Sequence, residues 1–352
     1  MTFSESTPDH PYFRLTIGRI IPEAKNFKVF VFREDHGISY EAGQFITLVE
    51  RPGDQEIRRS YSICTSPLGR EPLAIGVRRM PNGYFSRKLF DEIKEGDSVY
   101  CTGAAGFFRL PEKISGGEKL VMFAAGSGIT PVISLIRTVL LMNEETKIEL
   151  IYSNHRQEST AFFHELRTLL KQYPDRLHIH FLFSVSSDLR RARLNPDLLS
   201  GFMQRWKNEA GKLYFYVCGP ESYMRMIIFH LREEGFPADR IKKEDFNPGN
   251  KKIAGKAPAD QSTHEVILEW KNRVFRFPVQ YPDTILRAAS RSGLHLPYSC
   301  ETGKCGSCAV KCLEGKVWLS NNEVLLEKEL SEGLILTCTG YPQYGDLRLR
   351  LE

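Results

Sequence analysis

Four cysteines near one end of this 352-residue chain constrain its fold more than any other feature. Cys300-Glu-Thr-Gly-Lys-Cys305-Gly-Ser-Cys308 has the form C-x4-C-x2-C, and Cys338 follows after 29 intervening residues. Iron in an iron–sulfur centre takes tetrahedral sulfur. A segment with this spacing must therefore wrap as a loop with several thiolates pointing inward, and the fourth must return from the body of a domain. This is the ligand spacing of a [2Fe–2S] cluster. Gly303 and Gly306 supply the backbone freedom such a wrap needs and let amide groups approach the sulfurs. Zinc is the rival, but zinc sites use paired C-x2-C arms and only one C-x2-C is present. Cys312, four residues past Cys308, is read as a small buried residue on the strand leaving the loop, not as a fifth ligand.

The rest of the chain falls into regimes of different periodicity. From Tyr12 to about Pro111, short alternating runs (Phe13-Leu15-Ile17, Val29 to Phe32, Phe45 to Val49, Ile75 to Val77) are punctuated by Gly, Pro, Asn and Asp. That pattern predicts an antiparallel barrel or sandwich with one helical insert over Gly83 to Ile93. From Lys119 to Phe246 strand-like runs (120–125, 148–152, 178–184, 213–218) alternate with helical ones (131–142, 161–172, 222–234). Such alternation predicts βαβ units and a mostly parallel sheet. Asn247 to Ser262 is rich in Gly, Pro, Lys and Ala without periodicity and is expected to be a flexible linker. Beyond it, a hairpin (266–270, 274–279) and a helix near 284–292 precede the cysteine loop. The expected domains are 1–113, 114–246 and 263–352, with 247–262 between the last two.

Charge and hydropathy exclude some roles. The net charge of +5 is mild, and residues 263–352 hold 11 basic and 11 acidic side chains, so the excess lies earlier in the chain. Dispersed basicity of this size suits an anionic cofactor or acidic partner and does not argue for nucleic acid. The most apolar stretch, Leu120 to Met142, is broken by Gly126, Gly128, Pro131 and Arg137, so no membrane span is expected. Met1 to Pro11 is polar, without the apolar core of a secretion signal. With four of eight cysteines in a ligand pattern, a cytoplasmic location is expected over a disulfide-bonded one.

Two further motif groups carry chemistry. Arg59-Ser60-Tyr61-Ser62 ends a strand run, so Arg59 and Tyr61 share one face and Ser62 lies on the other. Arg59 can pair with a pyrophosphate and Tyr61 can stack on an aromatic ring. Gly83-Tyr84-Phe85-Ser86 opens a helix whose amides suit phosphate. Gly126-Ser127-Gly128-Ile129-Thr130-Pro131 follows the first strand of the α/β region and opens its first helix, where glycines let a pyrophosphate approach. Cys218-Gly219-Pro220 ends a later strand, at the sheet edge where α/β folds bind ligands. Each motif alone has a bland reading: a surface strand, a structural turn, a buried thiol.

In combination, order and spacing, these motifs resemble the ferredoxin–NADP reductase superfamily. The terminal cysteine loop is similar to a plant-type ferredoxin domain, as in reductases that feed oxygenases of the phenylacetyl-CoA epoxidase and 3-ketosteroid hydroxylase types. The resemblance implies a Greek-key β-barrel binding FAD, an α/β domain binding NAD(P)H and a β-grasp [2Fe–2S] domain. It implies FAD contacts from Arg59, Tyr61, Ser62, Gly83 and Ser86. Gly126, Gly128, Thr130, Pro131, Gly219 and Pro220 would line the nicotinamide nucleotide, with Ser62 and Cys218 beside the reacting rings. Arg156, in Ser153-Asn154-His155-Arg156, could meet a 2′-phosphate, which favours NADPH. Many members place Arg directly after Asn, so His155 leaves NADH open. Phe246 would cover the flavin, sit in a hinge or pack in the core.

The implied reaction is hydride transfer from NAD(P)H to FAD, then single electrons through the cluster to a partner. The expected partner is a multicomponent oxygenase of di-iron, phenylacetyl-CoA epoxidase type, or of Rieske type. A stand-alone reductase for a haem or soluble carrier is the alternative. A redox-sensing protein is a third possibility, disfavoured by the intact flavin and nicotinamide motifs.

Overall fold

The structure, a computed structural model, describes residues 12–51, 56–112, 114, 117–142, 145–188, 192–246 and 257–351. Its first unit is built from β1 (Phe13–Ala24), β2 (Phe27–Phe32), β3 (Phe45–Glu50), β4 (Ile57–Ser62), β5 (Ala74–Arg78) and β6 (Ser98–Ala105). The spatial order is β4-β3-β6-β1-β2-β5, with all pairings antiparallel. Ile63 bridges Ile75, and the Cys64 amide donates to the Ala74 carbonyl at 2.9 Å, which joins the two edges into a barrel. Period-two pairs Leu15/Ile17, Phe30/Phe32 and Ile46/Leu48 point inward and are fully buried. Burial of each such side chain contributes about 1.5–3 kcal/mol. Helix α1 (Tyr84–Asp91) covers one end, with Phe85 and Leu89 four residues apart on its buried face.

The second unit is a five-stranded parallel sheet of β7 (Lys119–Ala125), β8 (Lys147–Asn154), β9 (Leu177–Phe183), β10 (Leu213–Cys218) and β11 (Ile241–Glu244). Its order is β11-β10-β7-β8-β9. The helices are α2 (Ile129–Met142), α3 (Phe163–Gln172), α4 (Pro196–Trp206) and α5 (Glu221–Glu233). Both β11 and α4 escape the sequence reading. Beneath this unit Glu149 is buried and accepts from Trp206 Nε1 at 2.9 Å, with Lys119 Nζ at 2.7 Å and His180 Nε2 at 3.0 Å. Burial alone would raise its carboxyl, but the bonds from His180, Lys119 and Trp206 outweigh this and hold it at about 2.

The third unit has sheet order β13-β12-β16-β14-β15, from β12 (His264–Trp270), β13 (Arg273–Val279), β14 (Ala309–Leu319), β15 (Leu334–Leu336) and β16 (Gly340–Leu351). Only β12 and β16 run parallel. Helix α6 (Ile285–Arg291) buries Ile285, Leu286, Ala288 and Ala289, and α7 (Glu327–Ser331) is short. Thr284 caps α6 by accepting from the Arg287 amide. The β12–β13 hairpin turns at Lys271-Asn272, both at positive φ (51° and 59°), as a two-residue primed turn requires. Of the expected linker, Asn247 to Lys256 lies outside the described residues. Its far end is pinned: the Tyr344 amide donates to Asp260 Oδ2 at 2.7 Å, and His264 Nε2 lies 2.7 Å from the same carboxylate.

Barrel and parallel sheet share one core, in which Phe27, Val29 and Ala74 join Ile129, Val132 and Ile136 of α2. Arg137 crosses the junction, donating to the Cys64 carbonyl at 2.8 Å while pairing with Glu165 at 2.7 Å. Among the described residues, no helix is long and apolar enough to cross a membrane.

Candidate functional site

Strand β4 is the hub. Its alternation sends Arg59 and Tyr61 one way and Arg58, Ser60 and Ser62 the other. Arg59 is exposed, with its Nη1 donating to the Arg58 carbonyl at 2.6 Å. Ser62 is buried and its hydroxyl donates to Glu244 Oε1 at 3.1 Å, tying the barrel to the end of β11. Glu244 had no role in the sequence reading, because the four-residue strand Ile-Lys-Lys-Glu lacks an apolar pattern. Its other oxygen, Oε2, is buried with no protein partner. Burial pushes the Glu244 carboxyl up to about 8, against the lowering effect of the Ser62 hydroxyl, so it keeps a proton at neutral pH.

A cleft brings the three units together here. Arg59, Ser62, Glu244 and Phe246 line one part of it, and Cys300 and Cys305 another. Phe246 is 44% exposed, which excludes core packing for that side chain. Tyr61, Gly83 and Ser86 are not part of this lining. Gly83 is the residue before α1, at φ −86°. The Ser86 hydroxyl is committed to the turn, accepting from the Met80 amide at 3.1 Å and contacting the Gly83 carbonyl at 3.3 Å.

The glycine loop after β7 and the end of β10 meet where the strand order switches direction. A Cβ on Gly128 would stand 2.2 Å from the Cys218 carbonyl oxygen, and one on Gly219 would stand 2.9 Å from Ala125 Cβ. Gly126 has φ +55°, and a Cβ there would meet Arg78 Nη1 at 2.9 Å. Thr130 and Pro131 shape this turn with inward side chains. The Thr130 hydroxyl donates to the Ser127 carbonyl at 2.8 Å, and its methyl occupies the space Gly76 leaves. Pro220 precedes α5. Cys218 is fully buried, and burial, then Glu244 and Asp245, raise its thiol well above its ordinary value. Arg156 is exposed beyond β8, 3.3 Å from His155 Nε2, and His155 Nδ1 lies 2.9 Å from the Ser184 hydroxyl.

None of the eight cysteines forms a disulfide, and five of them lie in the third unit. Cys300 is within hydrogen-bonding reach of Cys305 and of Cys338, and Cys308 of Cys338. The contacts run Cys305–Cys300–Cys338–Cys308, an extended quartet. Among the described residues no group of three His, Cys, Asp or Glu is disposed around a single ion. The C-x4-C-x2-C spacing with a single C-x2-C arm is what favours a two-iron cluster over zinc. Gly303 and Gly306 have φ +75° and +73°, and a Cβ on them would stand 2.6 Å from the Asn321 carbonyl oxygen and 2.5 Å from the Phe107 ring. The Thr302 amide donates to Cys300 Sγ at 3.4 Å. Cys312 is half-buried, not buried as expected, and its thiol donates to the Glu314 carbonyl at 3.4 Å, away from the quartet.

Three protein-family models match in series: an oxidoreductase FAD-binding domain over residues 16–110, an oxidoreductase NAD-binding domain over 122–228 and a 2Fe-2S iron-sulfur cluster binding domain over 269–343. The chain is 31% identical over 351 residues to the ferredoxin reductase component of 3-ketosteroid-9-alpha-monooxygenase from Rhodococcus rhodochrous, covering 95% of each. It is 30% identical to a subunit of 1,2-phenylacetyl-CoA epoxidase from Escherichia coli, covering 96% of each. Among solved structures, phthalate dioxygenase reductase superposes with a TM-score of 0.59 at 25% identity, over 97% of this chain and 98% of that one. A type IV self-sufficient cytochrome P450 monooxygenase shares the fold (TM-score 0.69, 22% identity), and this chain spans 41% of its length.

The chain belongs to the ferredoxin–NADP reductase superfamily, in the group with a C-terminal plant-type [2Fe–2S] ferredoxin domain. It is an NAD(P)H-dependent oxidoreductase that passes electrons through FAD to a [2Fe–2S] cluster. The residues present fit these groups. Glu244, with one buried oxygen left without a partner, lines the cleft at the barrel edge, the crossing of loops at Gly128 leaves no room for side chains, and the quartet supplies four sulfurs.

Proposed function

We propose that this chain is the reductase component of a multicomponent oxygenase, most akin to the di-iron phenylacetyl-CoA epoxidase type, with NADPH as its preferred donor and the cytoplasm as its location. The observation that supports this reading is the cleft shared by Arg59, Ser62, Glu244, Phe246, Cys300 and Cys305, where a flavin held by the barrel residues would lie beside a cluster held by the cysteines. Relatives along nearly the whole chain are the reductase components of 3-ketosteroid and glycine betaine monooxygenases and a subunit of phenylacetyl-CoA epoxidase, which supports an oxygenase as acceptor.

FAD, when bound, supplies the conversion of a two-electron donor into single electrons. The chain's own residues bind and position. Arg59 and the first turn of α1, led by Gly83, hold the pyrophosphate, and Ser86 keeps that turn in shape. Tyr61 stacks on the flavin and Phe246 covers it. Ser62 and the protonated Glu244 present a hydroxyl and a carboxylic acid to the reacting edge. Gly126, Gly128 and Gly219 admit the nicotinamide nucleotide. Thr130, Pro131 and Pro220 fix the loops around it, and Cys218, buried at the end of β10, would lie close to the nicotinamide. Cys300, Cys305, Cys308 and Cys338 hold the cluster.

Arg156, beside His155, meets a 2′-phosphate. Arg156→Ala is expected to lower kcat/KM for NADPH by about 10–100-fold, the worth of one or two charge-assisted bonds, and to leave NADH nearly unchanged. Equal losses with both nucleotides would contradict the assignment. Purified di-iron and Rieske oxygenase components, mixed with the pre-reduced chain, test the acceptor. Oxidation by one of them well ahead of cytochrome c is expected, and none by either would overturn the oxygenase reading.

A further inference from the structure

The face of β4 turned away from Arg59 and Tyr61 has a task of its own. Arg58 is 7% exposed although it belongs to the most hydrated class of side chains. Each of its three guanidinium nitrogens donates a hydrogen bond. Nε donates to Glu56 Oε1 at 2.6 Å and Nη2 to the Tyr12 hydroxyl at 2.7 Å, both within the barrel unit. Nη1 crosses to the iron–sulfur unit and donates to the Tyr298 carbonyl at 2.8 Å. The guanidinium also lies 3.6 Å from the centre of the Tyr298 ring. Two residues along the same strand, Ser60 Oγ lies 2.7 Å from Ser299 Oγ. Tyr298 and Ser299 lead directly into Cys300.

The Tyr298 side chain also hydrogen-bonds Glu56 across this junction, and two further polar links among the described residues are longer. Lys304 lies 3.7 Å from Asp245, and Lys243 lies 3.4 Å from Glu323. Long pairs between partly exposed side chains contribute roughly 0–1 kcal/mol. Phe107 adds apolar contact against Gly306 but no orientation. A buried, planar, three-way-bonded arginine stacked on a ring is a directional contact. A neighbouring residue of the same strand serves the flavin, so strand geometry links the two positions.

From this arrangement we infer that Arg58 is a positioning residue that latches the iron–sulfur domain to the flavin barrel through Tyr298 and so sets the rate of flavin-to-cluster electron transfer. The inference rests on the reductase reading above and adds a contact that governs it. The step moves one electron from the reduced flavin to the cluster and recurs once the acceptor has removed it. Transfer over such a gap depends steeply on separation, so loosening the latch slows this step alone.

Arg58→Ala, Arg58→Lys, Tyr298→Ala and Tyr298→Phe holoenzymes, with flavin and cluster content checked by absorbance, separate the possibilities. In anaerobic stopped-flow with NADPH, Arg58→Ala and Tyr298→Ala are expected to bleach flavin at the wild-type rate. Cluster reduction is expected to be about tenfold slower, below the roughly 100-fold that a full 1 Å misplacement can cost. Lysine keeps charge without the planar fork and should restore only part of the rate, whereas Tyr298→Phe keeps the ring that stacks on Arg58, loses only the hydroxyl's bond with Glu56, and should restore most of it. Independently of turnover, hydrogen exchange at amides 298–302 should quicken in both alanine variants. Wild-type cluster reduction and unchanged exchange in both would overturn the latch. A wild-type enzyme whose cluster NADPH does not reduce would instead overturn the reductase reading, while the exchange data would still judge the latch. If Arg58→Ala does not fold, Tyr298→Ala carries the test from the other domain.

Discussion

Cys305→Ser is expected to lower NADPH-driven cytochrome c reduction by at least about 100-fold, because a hydroxyl does not replace a thiolate at iron. Ferricyanide, which takes electrons directly from flavin, should still be reduced. The cause is local. Cys305 contacts Cys300, lines the cleft with Arg59 and Ser62, and is followed by Gly306, whose φ of +73° and contact with Phe107 leave the loop no other path. The variant therefore keeps barrel and parallel sheet and loses the outlet. Steady-state rates with the two acceptors, alongside the visible spectrum, check it. Equal loss with both acceptors would mean that the cysteine loop supports flavin binding and is not merely its outlet.

Gly128→Ala is expected to have the second-largest effect. The added methyl would lie 2.2 Å from the Cys218 carbonyl oxygen and 2.6 Å from its carbon, which are backbone atoms that no rotamer change can move. The loops after β7 and β10 must then separate at the crevice where nucleotides bind in such sheets. A shift near 1 Å at a reacting site costs about 100-fold. Overpacking costs about 1–3 kcal/mol of stability. NADPH-driven flavin bleaching should fall accordingly, whereas dithionite reduction of flavin and cluster should not change. Thermal melting and stopped-flow absorbance measure the two effects. A wild-type bleaching rate would show that the loop crossing does not form the nucleotide site.

Much of this organisation was legible in the sequence, for identifiable reasons. A ligand spacing such as that of Cys300, Cys305, Cys308 and Cys338 is dictated by metal geometry and survives any packing detail. Strand β1 begins with apolar residues at every second position, β2 and β3 are short apolar runs, α2 is apolar nearly all round, and α3 and α5 each bury one face, so local pattern and final structure agree. Helix α4 had a signal that went unread: Asn195 caps it by accepting from the Leu198 amide, with Pro196 at its first turn. Strand β11 had none, since Ile-Lys-Lys-Glu gains its form only from pairing with β10. Glu244 was hidden for the same reason. Arg58 was not legible at all, because its partner Tyr298 lies 240 residues away and only the tertiary fold joins them. Thr130 shows the converse: its motif was visible, but only packing against Gly76 reveals that its side chain faces inward.

The central claim is that this chain takes electrons from a nicotinamide nucleotide and delivers them, through a flavin, to a [2Fe–2S] cluster at Cys300, Cys305, Cys308 and Cys338. Anaerobic titration of the purified protein with NADPH, followed by visible absorbance and low-temperature electron paramagnetic resonance, measures it directly. Loss of flavin absorbance accompanied by the signal of a reduced [2Fe–2S] cluster is the predicted result. Flavin reduction with no such signal, in a protein whose iron and sulfide content is complete, would contradict it.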